Sequence, residues 1–343
     1  MPVPAYIERL PKAELHLHIE GTLEPAMMLA FAVRNGVDVP YRTEAEIAAT
    51  YRFRNLQEFL DLYYQGSRVL IAERDFYELT HAYLSKARQQ NVLHAEISFD
   101  PQSHTGRGVP FATVIDGIHQ ALQDAKSEFG IGTKLIMCFL RHLDAEDAMT
   151  TLEMALPYRD RIAAVGLDSS EFGNPPAKFA KVFARARAEG FLAVAHAGED
   201  GPADYVRQAL DELRVARIDH GNRSLDDKAL VQRLARTRTP LTLCPLSNLR
   251  LGVVPDIGRH PLREMMARGL MVTVNSDDPA YFGGYVNENY RVVEEALGLS
   301  EPELYQLARN SFEASFLSAP EKQALIAELD NCAGRKFAVA RAP

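Results

Sequence analysis

The sequence predicts an α/β protein of the TIM (β/α)8 barrel class, and three observations carry the prediction. Short β-rich apolar runs recur along the chain, amphipathic helical stretches separate them, and polar residues of metal-binding or acid–base type recur at the run ends. Eight runs can be counted: ELHLHIEG (14–21), LHAEISFD (93–100), KLIMCFLRH (134–142), IAAVGLDSS (162–170), FLAVAHAGE (191–199), ARIDHGN (216–222), PLTLCPLSN (240–248) and LMVTVNSDD (270–278).

Between the first and second runs, residues about 25–90 read as a helical insertion, because PAMMLAFAVRNG, LQEFLDLYYQGSRVL and DFYELTHAYLSKARQQNV place apolar residues three and four apart. Later runs are separated by PFATVIDGIHQALQDAKSEFG, PAKFAKVFARARAEG, PADYVRQALDELR and HPLREMMARG, the helices a parallel barrel needs. After the eighth run, about 286–332 reads as further helices packed outside the barrel, and the tail GRKFAVARAP as weakly tied down. Mid-chain has no Pro/Gly/Ser-rich linker, so one domain over 1–343 is expected rather than two smaller α/β domains.

Composition narrows the partners. With 38 Lys+Arg against 46 Asp+Glu the formal charge is −8, and no basic cluster marks a nucleic-acid or membrane-surface footprint. No apolar stretch is long enough to span a bilayer and the start lacks a signal-peptide pattern, so a cytoplasmic protein acting on a small molecule is expected. A homo-oligomer is left open. Cys138, Cys244 and Cys332 are scattered, so any metal would need His and carboxylate ligands.

In a barrel of this class the chemistry sits at the carboxyl ends of the strands, where these polar residues fall. His16 and His18 are two apart, which sends both rings to one side of a strand, as two ligands of one ion require. A lone HxH is common; joined by His196 and Asp277 it becomes three imidazoles and a carboxylate, a set suited to zinc or another divalent transition metal. Glu199 in HAGED reads either as a loop charge or as a general acid three residues past a ligand. His220 reads as a core histidine held by Asp219 or as a group steering water. In NSDD, one Asp as a helix cap competes with a division into ligand, Asp277, and substrate acceptor, Asp278. Ser103, His104 and Thr105 read as turn residues or mouth lining, and Ser247 and Asn248 as supporting hydrogen-bond partners.

Taken together, PKAELHLHIEG, HAGED, RIDHGN, CPLSN and VNSDDPAYF resemble, in order and spacing, the motifs of the adenosine/adenine deaminase family of the amidohydrolase superfamily, from about Pro11 to Ala314. The resemblance implies a distorted TIM barrel with one Zn2+ per subunit, Fe2+ or Mn2+ being the other candidates. It implies His16, His18, His196 and Asp277 as ligands, Glu199 as proton donor to the purine ring, His220 as the group orienting the attacking water, and Asp278 as a substrate contact. Two departures bear on the substrate. Glu20 in HLHIEG stands where the nucleoside enzymes resemble HxHLDG, and GLDSSEFG, with Ser170 and Glu171, stands where they resemble GxDLAGDE. Both departures, with FDPQSHT and DDPAYFGGY, look like the adenine deaminase branch, which implies free adenine as substrate and makes Glu20, Glu171 and Ser170 candidate pocket residues. NLQEFLDLYY resembles a segment covering the substrate, so Phe59, Leu60 and Tyr63 read as a lid or as ordinary core packing. Competing readings are an adenosine or N6-substituted adenine deaminase, and a purine-binding protein on an inactive barrel.

Overall fold

The structure is a computed structural model and describes residues 2–334. The reading of GRKFAVARAP lies outside the described residues except for Gly334. Eight strands, β1 (Lys12–Glu14), β2 (Val92–Phe99), β3 (Gly132–Leu140), β4 (Ala164–Asp168), β5 (Leu192–Ala197), β6 (Arg217–His220), β7 (Leu241–Leu243) and β8 (Val272–Val274), follow one another in sheet order, each parallel to the next. The seam between β8 and β1 is made beyond the strands: His18 N–H donates to the Asp277 carbonyl at 3.0 Å and Asp277 N–H to the His16 carbonyl at 3.1 Å. The result is a (β/α)8 barrel.

Most strands are shorter than the apolar runs that announce them. The difference has a local cause, since Ser169, His220 and Asp277, at or just past strand ends, have φ of 74°, 64° and 65°. These left-handed values take the chain out of the ladder and turn side chains over the barrel mouth. The histidines of the opening run accordingly stand past β1, not within it.

The insertion forms helices Pro25–Asn35, Glu44–Thr50, Leu56–Ser67 and Glu73–Gln89. Leu56–Ser67 starts at Asn55, whose side chain accepts the Glu58 N–H at 2.9 Å, and buries Leu56, Phe59, Leu60 and Tyr63, one helical stripe. Three helices, Val286–Leu297, Glu301–Ala314 and Ala319–Ala333, follow the barrel. No helix among the described residues is long and apolar enough to cross a membrane. Inside the barrel, the fully buried Arg217 guanidinium meets Glu96 at 2.6 Å. Burial disfavours that carboxylate's charge, yet Arg217 prevails and holds its pKa down to about 2.

His260, buried ahead of helix Leu262–Ala267, is locked as one neutral tautomer. Its Nε2–H donates to Asn248 Oδ1 at 3.0 Å and its Nδ1 accepts the Leu262 N–H at 3.2 Å. Burial pulls its pKa down to about 3, against roughly 6.5 unfolded. Between these values the unfolded chain binds a proton that the folded chain does not. This contribution is therefore complete above pH 6.5 and lost as pH falls toward 3. His260→Gln is expected to lose stability at pH 7 but to shed up to about 1.4 kcal/mol per pH unit of acid sensitivity, read by urea unfolding at pH 5 and 7.

Candidate active site and metal centre

His16, His18, His196 and Asp277 converge at the carboxyl end of the barrel, one ligand atom from each lying within 4.8 Å of the others. The imidazoles are aimed by their outer nitrogens. His16 Nδ1 pairs with Thr242 Oγ1 at 2.9 Å, and His196 Nδ1 with the Leu167 carbonyl at 3.0 Å. A proton on those Nδ1 atoms leaves each Nε2 lone pair facing the cluster.

There the donors meet in a way hydrogen bonding does not satisfy. His18 Nε2 and His196 Nε2 face each other at 3.2 Å. Burial lowers the pKa of both rings, that of His196 to about 4, so two lone pairs point together. His16 Nε2 lies 3.1 Å from Asp277 Oδ1 yet makes no hydrogen bond among the described residues. Three imidazole nitrogens and one ionised carboxylate fit a divalent transition metal.

Beside the cluster lies a cavity with Glu199, His220, Asp277 and Asp278 in its wall. The register pairing Ala197 of β5 with His220 of β6 brings the acid and the histidine together. His220 Nε2 stands 3.5 Å from Glu199 Oε2 and 3.8 Å from Asp277 Oδ2. Burial drives the His220 pKa well below its usual value, whereas burial and the Asp277 charge push Glu199 well above the carboxyl range. A neutral imidazole thus adjoins a protonated carboxyl, a pairing that can accept one proton and donate another.

Residues 11–332 match the adenosine deaminase family. The chain belongs to that family. It is 58% identical over 94% of its length to an adenine deaminase of Acinetobacter baylyi, covering 98% of that protein, and 60% identical to one of Sphingopyxis alaskensis, over 95% of this chain and 96% of the other. A crystal structure of adenine deaminase from Arthrobacter aurescens superposes with a TM-score of 0.92 at 49% identity, over 93% of this chain and 98% of the other. An amidohydrolase from Burkholderia ambifaria with bound Zn superposes with a TM-score of 0.89 at 29% identity, over 99% and 96% of the two chains. The chain is thus a hydrolase acting on C–N bonds of cyclic amidines.

Within this adenosine deaminase family member, three residues read as pocket contacts, Glu20, Glu171 and Ser170, lie outside the cavity wall. Glu171 turns both carboxylate oxygens onto the HAGED turn and accepts the N–H groups of Gly198, Glu199, Asp200 and Gly201 at 2.6, 3.0, 3.0 and 2.8 Å. It fixes the backbone that carries Glu199. Glu20 is held by His104 Nε2 at 2.8 Å and by the Asp100 N–H at 3.1 Å. Ser170 uses its carbonyl to accept from Asn174 at 3.0 Å, and its neighbour Ser169 lines the cavity instead. His104 is buried in helix Pro101–Thr105, not at the mouth. Asn248 pairs with Asn222 at 2.7 Å as well as with His260, and Asp219 accepts from Thr242 Oγ1 at 2.7 Å behind His16. Phe59, Leu60 and Tyr63 do line the cavity, together with Tyr64, whose hydroxyl meets Ser169 Oγ at 2.8 Å and ties this helix to the β4 loop. Sequence reasoning missed Asp100, which ends the second apolar run, and Asp168, within the fourth, both in the wall.

Proposed function

We propose that this chain hydrolyses adenine to hypoxanthine and ammonia, as a cytoplasmic enzyme of purine salvage, with His16, His18, His196 and Asp277 holding one Zn2+ per subunit. The observation that carries the substrate is identity of 56–60% over almost the whole chain to proteins named adenine deaminase. Zinc is favoured over iron or manganese by the imidazole-rich donor set and by the zinc in the related amidohydrolase. The same reading takes 1–343 as one domain, the insertion at about 25–90 and the helices at about 286–332 being elaborations of the barrel.

When bound, the ion supplies Lewis acidity that makes water a competent nucleophile near neutral pH. His220, neutral and adjoining both Glu199 and Asp277, orients that water and receives its proton. Glu199 gives its proton to N1, so that negative charge does not build up on the ring as C6 becomes tetrahedral. Asp278, whose carboxyl burial and the Asp277 charge push well above its ordinary range, holds the purine by a hydrogen bond. Phe59 and Leu60 cover its apolar faces and exclude bulk water.

Ammonia release from adenine, adenosine and an N6-alkyl adenine, with metal content measured on the same sample, tests the proposal. Adenine is expected to give the highest kcat/KM with about one zinc per chain. A higher kcat/KM for adenosine overturns the choice of free base.

A further inference from the structure

The chemistry above leaves two buried carboxyl groups of the cavity wall unused, Asp100 and Asp168. Asp100, just past β2, is 2% exposed. Its Oδ2 accepts from the Tyr63 hydroxyl at 3.2 Å, whereas its Oδ1 has no hydrogen-bond partner among the described residues. Buried acceptors are almost always satisfied, so an unpartnered one in a cavity wall points to a donor on the ligand. Asp168, beside it, faces His18 Nδ1 at 3.4 Å, and neither of its oxygens makes a hydrogen bond among the described residues, so Asp168 is bound up with a metal-ligand candidate whereas Asp100 pairs with Tyr63.

The surroundings hold Asp100 in place. Its N–H donates to Glu20, Glu20 accepts from His104 at 2.8 Å, and Arg107 Nη2 adjoins His104 Nδ1 at 2.9 Å. Arg107 is itself anchored on the carbonyls of Ser67, Arg68 and Leu70. The position is also specific. His18 turns Nε2 toward Asp277 and His196, and it is the far side of that ring, near Asp168, that Asp100 adjoins.

A purine reacting at C6 beside Glu199 must direct its five-membered ring away from the metal cluster, and N9 is the ring nitrogen farthest from N1 and C6. In the free base N9 carries a hydrogen; in a nucleoside it carries carbon. We propose that Asp100 is a specificity-determining residue that accepts the N9–H of the free base and rejects 9-substituted purines, with Glu20 and His104 as positioning residues. The proposal rests on adenine being the substrate. A site built to hydrogen-bond an N–H discriminates strongly against a ligand that lacks it, because its buried acceptor is left unpaired.

The test compares wild type, Asp100→Ala and Asp100→Asn for kcat/KM on adenine and 9-methyladenine, with metal content, and for calorimetric binding of hypoxanthine and 9-methylhypoxanthine. The adenine to 9-methyladenine ratio is expected to fall at least about 100-fold in Asp100→Ala and about 10-fold in Asp100→Asn, whose amide oxygen still accepts, with wild-type metal content. The binding ratio of the two oxopurines should fall in the same order. A ratio unchanged in Asp100→Asn, or equal losses on both substrates, overturns the proposal, and Asp100→Asn decides it should Asp100→Ala not fold. Failure of wild type to deaminate adenine defeats the functional reading instead, while the oxopurine binding ratio still decides the role of Asp100.

Discussion

Glu199→Gln is expected to lower kcat by about 100-fold to 10,000-fold while leaving metal content and folding intact. The amide keeps the size of the side chain and can still donate an N–H to ring N1, but it cannot give up a proton. Glu199 suits this role because burial and the Asp277 charge keep it protonated, and because Glu171 fixes the turn beneath it through four N–H groups. Wild-type activity should fall as pH rises through the raised Glu199 pKa. The residual activity of Glu199→Gln should lack that basic limb. His16→Ala gives the contrasting result, since it removes a ligand whose Nδ1 is already aimed by Thr242, and metal is lost along with turnover. Metal analysis beside ammonia release separates the two. Unimpaired turnover by Glu199→Gln would exclude it as the acid.

Residues that contradict their surroundings were the legible ones. Two histidines in an apolar run, a glutamate in HAGED and paired aspartates in NSDD have no cheap structural explanation, and the structure gathers all of them at one barrel end. The eight apolar runs likewise announce the eight strands in order. Asp100 and Asp168 escaped notice because a single Asp before a turn reads as a cap in FDPQ and GLDSS. Glu20 and Glu171 mark a different limit. Their extra length relative to Asp or Gly was visible, but the direction of a carboxylate depends on which donors the fold brings near, and both turn toward backbone N–H groups contributed by other segments. Strand ends were overrun for a similar reason: the runs as read extend to Ser170, Asn222 and Asp278, whereas the backbone at Ser169, His220 and Asp277 has already turned left-handed.

Gly21→Ala should be nearly as damaging as removing an active-site group, although residue 21 carries no chemistry. A Cβ at this position would lie 2.6 Å from both Cβ and Cγ of Asp278, and closer still to Oδ1. Real Cβ contacts do not approach so near, so Asp278 or the turn Glu20–Thr22 must move. Neither has room to do so. Asp278 opens the short helix Pro279–Phe282, whose Tyr281 and Phe282 are buried, and its neighbour Asp277 is tied to His16 and His18 through main-chain hydrogen bonds. On the other side, Ile19 N–H donates to Ser98 of β2 at 2.9 Å and Glu20 holds Asp100. Overpacking of this kind costs about 1–3 kcal/mol, and a displacement near 1 Å at a group that positions substrate costs about 100-fold in rate. The variant is therefore expected to retain its metal, to melt several degrees lower and to lose at least about 100-fold in kcat/KM for adenine. Gly21→Ala with wild-type kcat/KM would show that Asp278 need not stand where the structure places it.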